Sequence, residues 1–301
     1  MTEKNTKKDV RKFYDHIGWQ IANEDLYQNA QYEDLRPVSR EYIHRCHLRV
    51  NRHLAQNGQF LLDAGSGPVQ YPEYLTYSQS YQARVCMDIS IVALREARKR
   101  LGEHGLYVVA DIVHLPFKSE LFDGIVSLHT IHHVPMEEKL MSYEELHRTL
   151  KSGKRMVIVN GWTNAPLMER LSRFAAIMKR LHTWWMHRFK YRRSQSELVI
   201  ENWSDQENVN EESAPKSSPK GTFVQKLNAE WLVQTLTGRM DFKIYVWRSV
   251  SVSFLRSVIY PEWGGRFWLK VLYWLEERFP RLLGRIGQYP LVVISKPADA
   301  A

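Results

Sequence analysis

Three acidic residues follow three short apolar runs: Asp63 after FLL, Asp88 after RVCM and Asp111 after LYVVA. A glycine-rich turn, Gly65-Ser66-Gly67, opens just past the first of them. If the runs are parallel strands, the carboxylates stand along one sheet edge, where open α/β sheets bind their ligands. An ionised carboxylate only accepts hydrogen bonds. Three of them therefore suit a ligand with hydroxyl and amine donors, and an acid ending the second strand can accept from both hydroxyls of a ribose. A pyrophosphate would instead call for G-x-G-x-x-G and basic neighbours. Gln70 stands at the third glycine position, which points away from a dinucleotide. His129, His132 and His133 follow a fourth apolar run in HTIHH. Imidazole titrates near neutrality, so each is a candidate general base or a loop histidine packed on the ligand. HTIHH has no companion cysteine or carboxylate cluster at ligand spacing, so no metal is expected.

The elements needed to position these residues are legible in order. Residues 38–56 carry apolar side chains at near-helical spacing and stop at Asn57-Gly58. FLLDAG, ARVCMDIS, LYVVAD, FDGIVSLH and KRMVIVNGW read as five strands. Helical segments lie between them at 69–79, at IVALREARKRLG behind a Ser90 cap, and at MEEKLMSYEELHRTL. Pro72 fits only the first turn of its helix. Beyond residue 222 a helix at 223–237, a strand DFKIYVWRSV, a helix at 266–279 and a strand YPLVVISKP are expected. The alternation predicts a Rossmann-like, doubly wound, mostly parallel seven-stranded sheet with helices on both faces and an inserted helical cap.

At 301 residues, with 44% hydrophobic and 25% charged residues, the chain can bury a large core. Cys46 and Cys86 are too few for a disulfide framework, and a reducing compartment is expected. The first ten residues hold no apolar core of a signal peptide, and no run of eighteen apolar residues occurs. The expected location is cytoplasmic, peripheral at a membrane if the basic segment below contacts one. The net charge of +9 permits an anionic partner.

LLDAGSGP, VCMDIS, VADIVHLPF, FDGIVSLHTIHHV and ELHRTLKSGKRMVIVN, in that order and spacing, resemble the class I S-adenosylmethionine-dependent methyltransferases, closest to the branch with small-molecule and quinone methyltransferases. The similarity covers residues 40–160, weakens over 223–297 and fails over 162–222. It implies S-adenosylmethionine as cofactor. Asp63, Ala64, Gly65, Ser66 and Gly67 would form the turn at its methionine end, and Asp88 would hold the ribose, with Ile89 against the adenine. Asp111 would accept from the adenine amine, with Ile112 beside it, and His129 would border the sulfonium and the acceptor. Pro68-Val69 stands where the family usually has a further glycine. The implied reaction is methyl transfer to a small-molecule acceptor, amphiphilic or lipid-like, with His129, His132, His133 and Tyr14 as catalytic candidates. A catalytically silent cofactor-binding partner and a nucleic-acid methyltransferase are the alternatives. SLHTIHHVP replaces the N/D-P-P-[YF/W] motif of enzymes that methylate amino groups of bases, which argues against that kind.

Four regions follow: an N-terminal lid (1–37) with Tyr14 and Trp19 as the closing side chains, a cofactor-binding core (38–161), a basic aromatic cap with a polar linker (162–222), and the C-terminal part of the core (223–301). Between Met168 and Arg193 lie eight Lys or Arg and one acid, with Trp184, Trp185, Phe189 and Tyr191 among them. That composition suits a cover over the acceptor pocket, an anionic membrane surface or nucleic acid. Residues 263–286 form a second aromatic, basic, amphipathic stretch.

Overall fold

The computed structural model describes residues 3–15, 21–23, 26–27, 33–189 and 222–298. Trp19, Tyr191 and the expected linker at 201–221 lie outside these. The sheet contains β1 (Gly58–Ala64), β2 (Tyr81–Asp88), β3 (Gly105–Val109), β4 (Gly124–Leu128), β5 (Arg155–Val159), β6 (Asp241–Arg248) and β7 (Tyr289–Ser295). Their order is β3-β2-β1-β4-β5-β7-β6. The first five are parallel, and β7 runs antiparallel between β5 and β6. The strand order reverses at β1 and β4, which puts the ligand crevice beyond their carboxyl ends.

The strands read as unbroken apolar runs because both faces are covered. Leu62, Met87, Ile125 and Ile158 face one buried cluster, joined by Tyr143 and Leu146 of α5 (Lys139–Thr149) and Leu232 and Leu236 of α7 (Ala229–Leu236). Leu61, Cys86, Val126 and Val157 face the other, with Val50, Tyr77 and, from α4 (Ile91–Leu101), Leu94 and Ala97. The period of two thus serves two cores at once. A third cluster joins α2 (Arg40–Leu48), α8 (Val252–Val258) and α9 (Gly265–Arg278) through Tyr42, Ile43, Leu255, Leu269 and Tyr273. Buried Glu276 ties them: it accepts from Tyr42 Oη at 2.8 Å, Arg49 Nη1 at 2.8 Å and the Ser249 amide at 2.7 Å.

Several boundaries differ from expectation for local reasons. The helix expected over 38–56 ends at Leu48 and tightens into a 3-10 turn, Arg49–His53. The helix expected at 69–79 shrinks to α3 (Pro72–Leu75) and a 3-10 turn, Thr76–Ser78, with Pro72 at its start. That expected at 223–237 begins only at Ala229, behind an Asn228 cap that accepts from the Trp231 amide. The preceding residues are held extended instead. Gln225 N donates to His132 O at 2.7 Å, and Thr163 N to Leu227 O at 2.7 Å. α8 has no counterpart in the expected elements. Of the segment expected as an inserted cap, the described residues include one long helix, α6 (Pro166–Phe189), packed against α8. After α9 the chain forms α10 (Pro280–Ile286) against β6.

Candidate active site

The turn after β1 is shaped for close backbone approach. Gly65 and Gly67 have φ of +75° and +54°, and a Cβ on Gly65 would collide with Thr130. Val69 has φ +55°, the left-handed conformation a glycine would adopt freely there. A buried β-branched residue therefore fills the place of the missing glycine at a conformational cost, and the helix start is deferred to Pro72.

These residues open onto a cavity of about 420 Å³ beyond the strand ends. Its wall is drawn from four strand ends: Gly65, Ser66 and Gly67 after β1, Asp88 and Ile89 at the end of β2, Asp111 and Ile112 after β3, and His129 and His133 after β4. Each Asp88 oxygen accepts one backbone N–H, Oδ2 from Gly67 and Oδ1 from Ser90, both at 2.9 Å. These bonds fix its plane and leave lone pairs on both oxygens. Burial nevertheless pushes its carboxyl up to about 6. A cavity of this volume, with an anchored bidentate acceptor between small backbone and apolar walls, fits an adenosyl ligand.

Two expected members are not in the wall. Asp63 turns away into a buried ion pair, accepting from Arg84 Nη2 at 2.5 Å and Nε at 3.1 Å. Arg84 is wholly buried and also donates to Tyr74 O. An unpaired guanidinium there would be costly, so Asp63 is committed to it. Ala64 is buried within β1, its carbonyl accepting from Ser127 Oγ. Both therefore support the turn from beneath.

α1 (Glu3–Phe13) covers the cavity, with Lys7, Val10, Arg11 and Tyr14 in its wall. Three polar ties hold this segment down. Lys7 Nζ bonds Asp111 Oδ2 and Glu138 Oε2, each at 2.7 Å. Ser90 Oγ donates to Asp15 Oδ1 at 2.5 Å. Tyr14 Oη lies 2.7 Å from His133 Nε2. His133 Nδ1 is 2.8 Å from the Phe223 carbonyl, which can only accept. Nδ1 therefore carries the proton, and Nε2 accepts from Tyr14.

A second cavity of about 330 Å³ adjoins the first, sharing Tyr14, Gln70, Tyr74, His129 and His133 with it. Its own walls include Tyr71, His132, Lys226, Tyr289, and Arg248 paired with Glu33. Sequence reasoning missed Glu33 and Arg248. The signal was a lone arginine ending the apolar run IYVW, which a buried acid has to match. Burial, reinforced by the Arg248 charge, pushes His129 down to about 3. Burial pushes His133 down to about 4 and holds His132 well below its ordinary value. All three are neutral near pH 7. His129 has φ +56°, pinned by its amide bond to Val159 O at 2.7 Å, and sets its ring edge-on to Trp247 and Tyr289. Lys139, buried on α5, donates to the carbonyls of Ile131 (3.0 Å), Val134 (2.6 Å) and Gln225 (2.7 Å), fixing the histidine loop against the strand-like segment before α7. Among the described residues, no group of three His, Cys, Asp or Glu side chains could hold a metal ion.

Comparison with known proteins bears on the family and the fold. Residues 62–158 match the family described as "Methyltransferase domain". The whole chain superposes on phosphoethanolamine N-methyltransferase 1 of Haemonchus contortus, solved with phosphoethanolamine and S-adenosylhomocysteine, at a TM-score of 0.57 and 12% identity. The chain spans about half, 51%, of that protein's length. The DhpI–SAH complex matches at 0.54 and 10% identity over 99% of this chain and 100% of its own. The [4+2]-cyclase SpnF matches at 0.51 and 15% identity over 97% of each chain. No curated protein matches the sequence. Residues 62–158 thus carry a methyltransferase domain, and the 3-2-1-4-5-7-6 sheet with a cavity at its switch point is the Rossmann-like methyltransferase fold that the chain shares with these structures.

Proposed function

We propose that the protein methylates a hydroxyl of a small amphiphilic molecule held in the second cavity. The observation that carries this reading is the wall common to the two cavities, with Tyr14, His129 and His133 in it. The fold alone would not suffice, because function resides in the site. Asp88 would hold the ribose hydroxyls, the Gly65–Gly67 backbone would line the methionine end, and Ile89 and Ile112 would flank the adenine. The cofactor supplies an electrophilic methyl on a sulfonium. The chain aligns the acceptor oxygen behind that methyl and receives its proton, and alignment is the larger contribution.

His133 Nε2 is the proton acceptor, reached through Tyr14 Oη, and its Nδ1–H stays on the Phe223 carbonyl. A buried imidazole resists charging, which depresses it here. The bound cofactor would bring one positive charge on its sulfonium, and a protonated His133 would carry that charge in its place, so the site would hold one positive charge before and after. That offsets the burial cost of protonating His133. Aromatic walls from Tyr71, Tyr74 and Tyr289 suit a ring or chain, and Arg248 and Lys226 suit a polar head.

Label transfer from methyl-labelled cofactor into a panel of hydroxylated aromatic and acyl amphiphiles tests the reading. Transfer to at least one is expected. With that acceptor, His133→Ala lowers kcat by roughly 100-fold, well beyond any loss of cofactor affinity that follows from the missing Tyr14 tie. Cofactor binding with no transfer across the panel would favour the silent reading, and unaltered turnover in His133→Ala would remove the base. The N-terminal segment acts as the lid. Removing residues 1–15 weakens cofactor binding on the order of tenfold or more in calorimetry, since the enclosed wall and its ties go with it. An unchanged Kd would reduce α1 to a packing element.

A further inference from the structure

Outside the site, the largest unexplained feature is apolar surface on three helices. On α6, Phe174, Ile177, Leu181 and Trp184 are exposed, Trp184 by 61%. They recur every three or four residues and so form one stripe along the helix. Arg170 and Arg188 lie at its two ends, with Arg173 and Arg180 on its flank, all exposed. The packed side of α6 adjoins the stripe, about 100° round the helix. His182 stacks on Tyr260 with centroids 3.5 Å apart, and Trp185 meets Trp263 edge-on.

Those contacts join the second half of α6 to the segment from which α9 starts. α9 carries a second stripe, Phe267, Trp268 and Trp274, of which the tryptophans are 57% and 61% exposed. Phe279 and Leu282 continue it onto α10. Arg266, Lys270, Arg278, Arg281 and Arg285 are exposed among them. The two stripes are carried by helices that these contacts bring together.

The chemistry of this end selects its partner. Single exposed apolar residues are ordinary, but a continuous set of this kind marks an interaction surface. Cores of protein–protein interfaces are depleted of charge, whereas here cations alternate with aromatics turn by turn. The exposed acids on the three helices are Glu169 and Glu277, and Glu277 is already paired with Arg52 at 2.6 Å. Aromatic side chains at headgroup depth with Lys and Arg beside them are what an anionic bilayer surface binds. Among the described residues no helix is long and apolar enough to cross a membrane, so the contact is peripheral.

We propose that the face formed by the α6 stripe and the α9–α10 stripe docks the protein on an anionic lipid surface. The proposal does not depend on the reaction or on which acceptor is used. α6 leaves the sheet shortly after Gly161, a residue of the second cavity's wall, so docking would bring that cavity near the bilayer.

The test is co-sedimentation of the full-length protein with phosphatidylcholine vesicles, with and without phosphatidylglycerol. Binding to the anionic vesicles only, weakening as salt rises, is expected. The exposed triple variant Trp184→Ala/Trp268→Ala/Trp274→Ala should keep its melting temperature and cofactor affinity and lose about tenfold or more of its partitioning, because the apolar contribution is gone. A second variant, Arg173→Glu/Arg180→Glu/Lys270→Glu, should lose the preference for anionic lipid. No binding to anionic vesicles, as would follow if residues 190–221 of the same chain cover the face, overturns the proposal. So does unchanged partitioning in the tryptophan variant, or a dimer in sedimentation velocity that the tryptophan variant dissolves.

Discussion

Asp88→Ala should abolish measurable cofactor binding at concentrations that saturate the wild type. Hydrogen bonds to a charged group contribute about 1.5–3 kcal/mol each. Losing two ribose hydroxyl contacts therefore costs about 3–6 kcal/mol, more than two orders of magnitude in Kd. The cost has two sources, because the side chain also accepts the Gly67 and Ser90 amides that shape the turn. The same residue sets a pH dependence. Its carboxyl titrates near 6 in the folded chain. Deprotonation supplies the acceptors, so cofactor affinity rises as pH increases from 5 to 7 and levels off above. Fold stability runs the other way. An acid whose folded pKa is raised from 3.8 to about 6 favours folding when protonated, so the ligand-free protein loses this contribution as pH rises through that window. Calorimetry across that range, with Asp88→Ala as control, separates the two. An affinity flat between pH 5 and 7 in the wild type would mean that Asp88 does not hold the ribose.

Asp63→Ala should destabilise the fold by about 3–5 kcal/mol, because it leaves a fully buried guanidinium without its counter-charge. That is a large part of the about 5–15 kcal/mol by which domains are stable. Adding Arg84→Met should recover most of the loss, since an apolar side chain of similar length needs no partner. Urea unfolding of both variants measures this. Cofactor affinity of the folded fraction should change little, because Asp63 faces away from the cavity. A drop in affinity matching that of Asp88→Ala, with stability intact, would return Asp63 to the ligand.

Residues reporting on the backbone were readable from the chain; those reporting on remote pairing were not. Five strands, the Ser90 cap, and Asp88 at the end of its strand all follow from local period and punctuation. Asp63 looked the same locally as Asp88. What separates them is Arg84, on the neighbouring strand and within the run ARVCMD, where a charge needs a buried acid. Lys139 lies in the expected helix MEEKLMSYEELHRTL, where a lysine is ordinarily exposed, yet its ammonium is buried among three carbonyls supplied by segments far apart in sequence. The segment before α7 carried a helical pattern, and tertiary hydrogen bonds from the histidine loop overrode it. Glu33 and Arg248 lie 215 residues apart, and no spacing rule joins them.

The Lys139 clamp bears on how such a chain can diversify. Thr163 and Leu227 hold the two ends of the excursion between β5 and α7 together, and Lys139 and His132 anchor its return at Gln225. These anchors, together with the Phe223 carbonyl on His133, lie at the base of the excursion, and α6 lies beyond them. Substitutions on the exposed side of α6 leave all of these bonds in place, so that surface can change its chemistry while the histidine loop and the glycine turn keep their geometry.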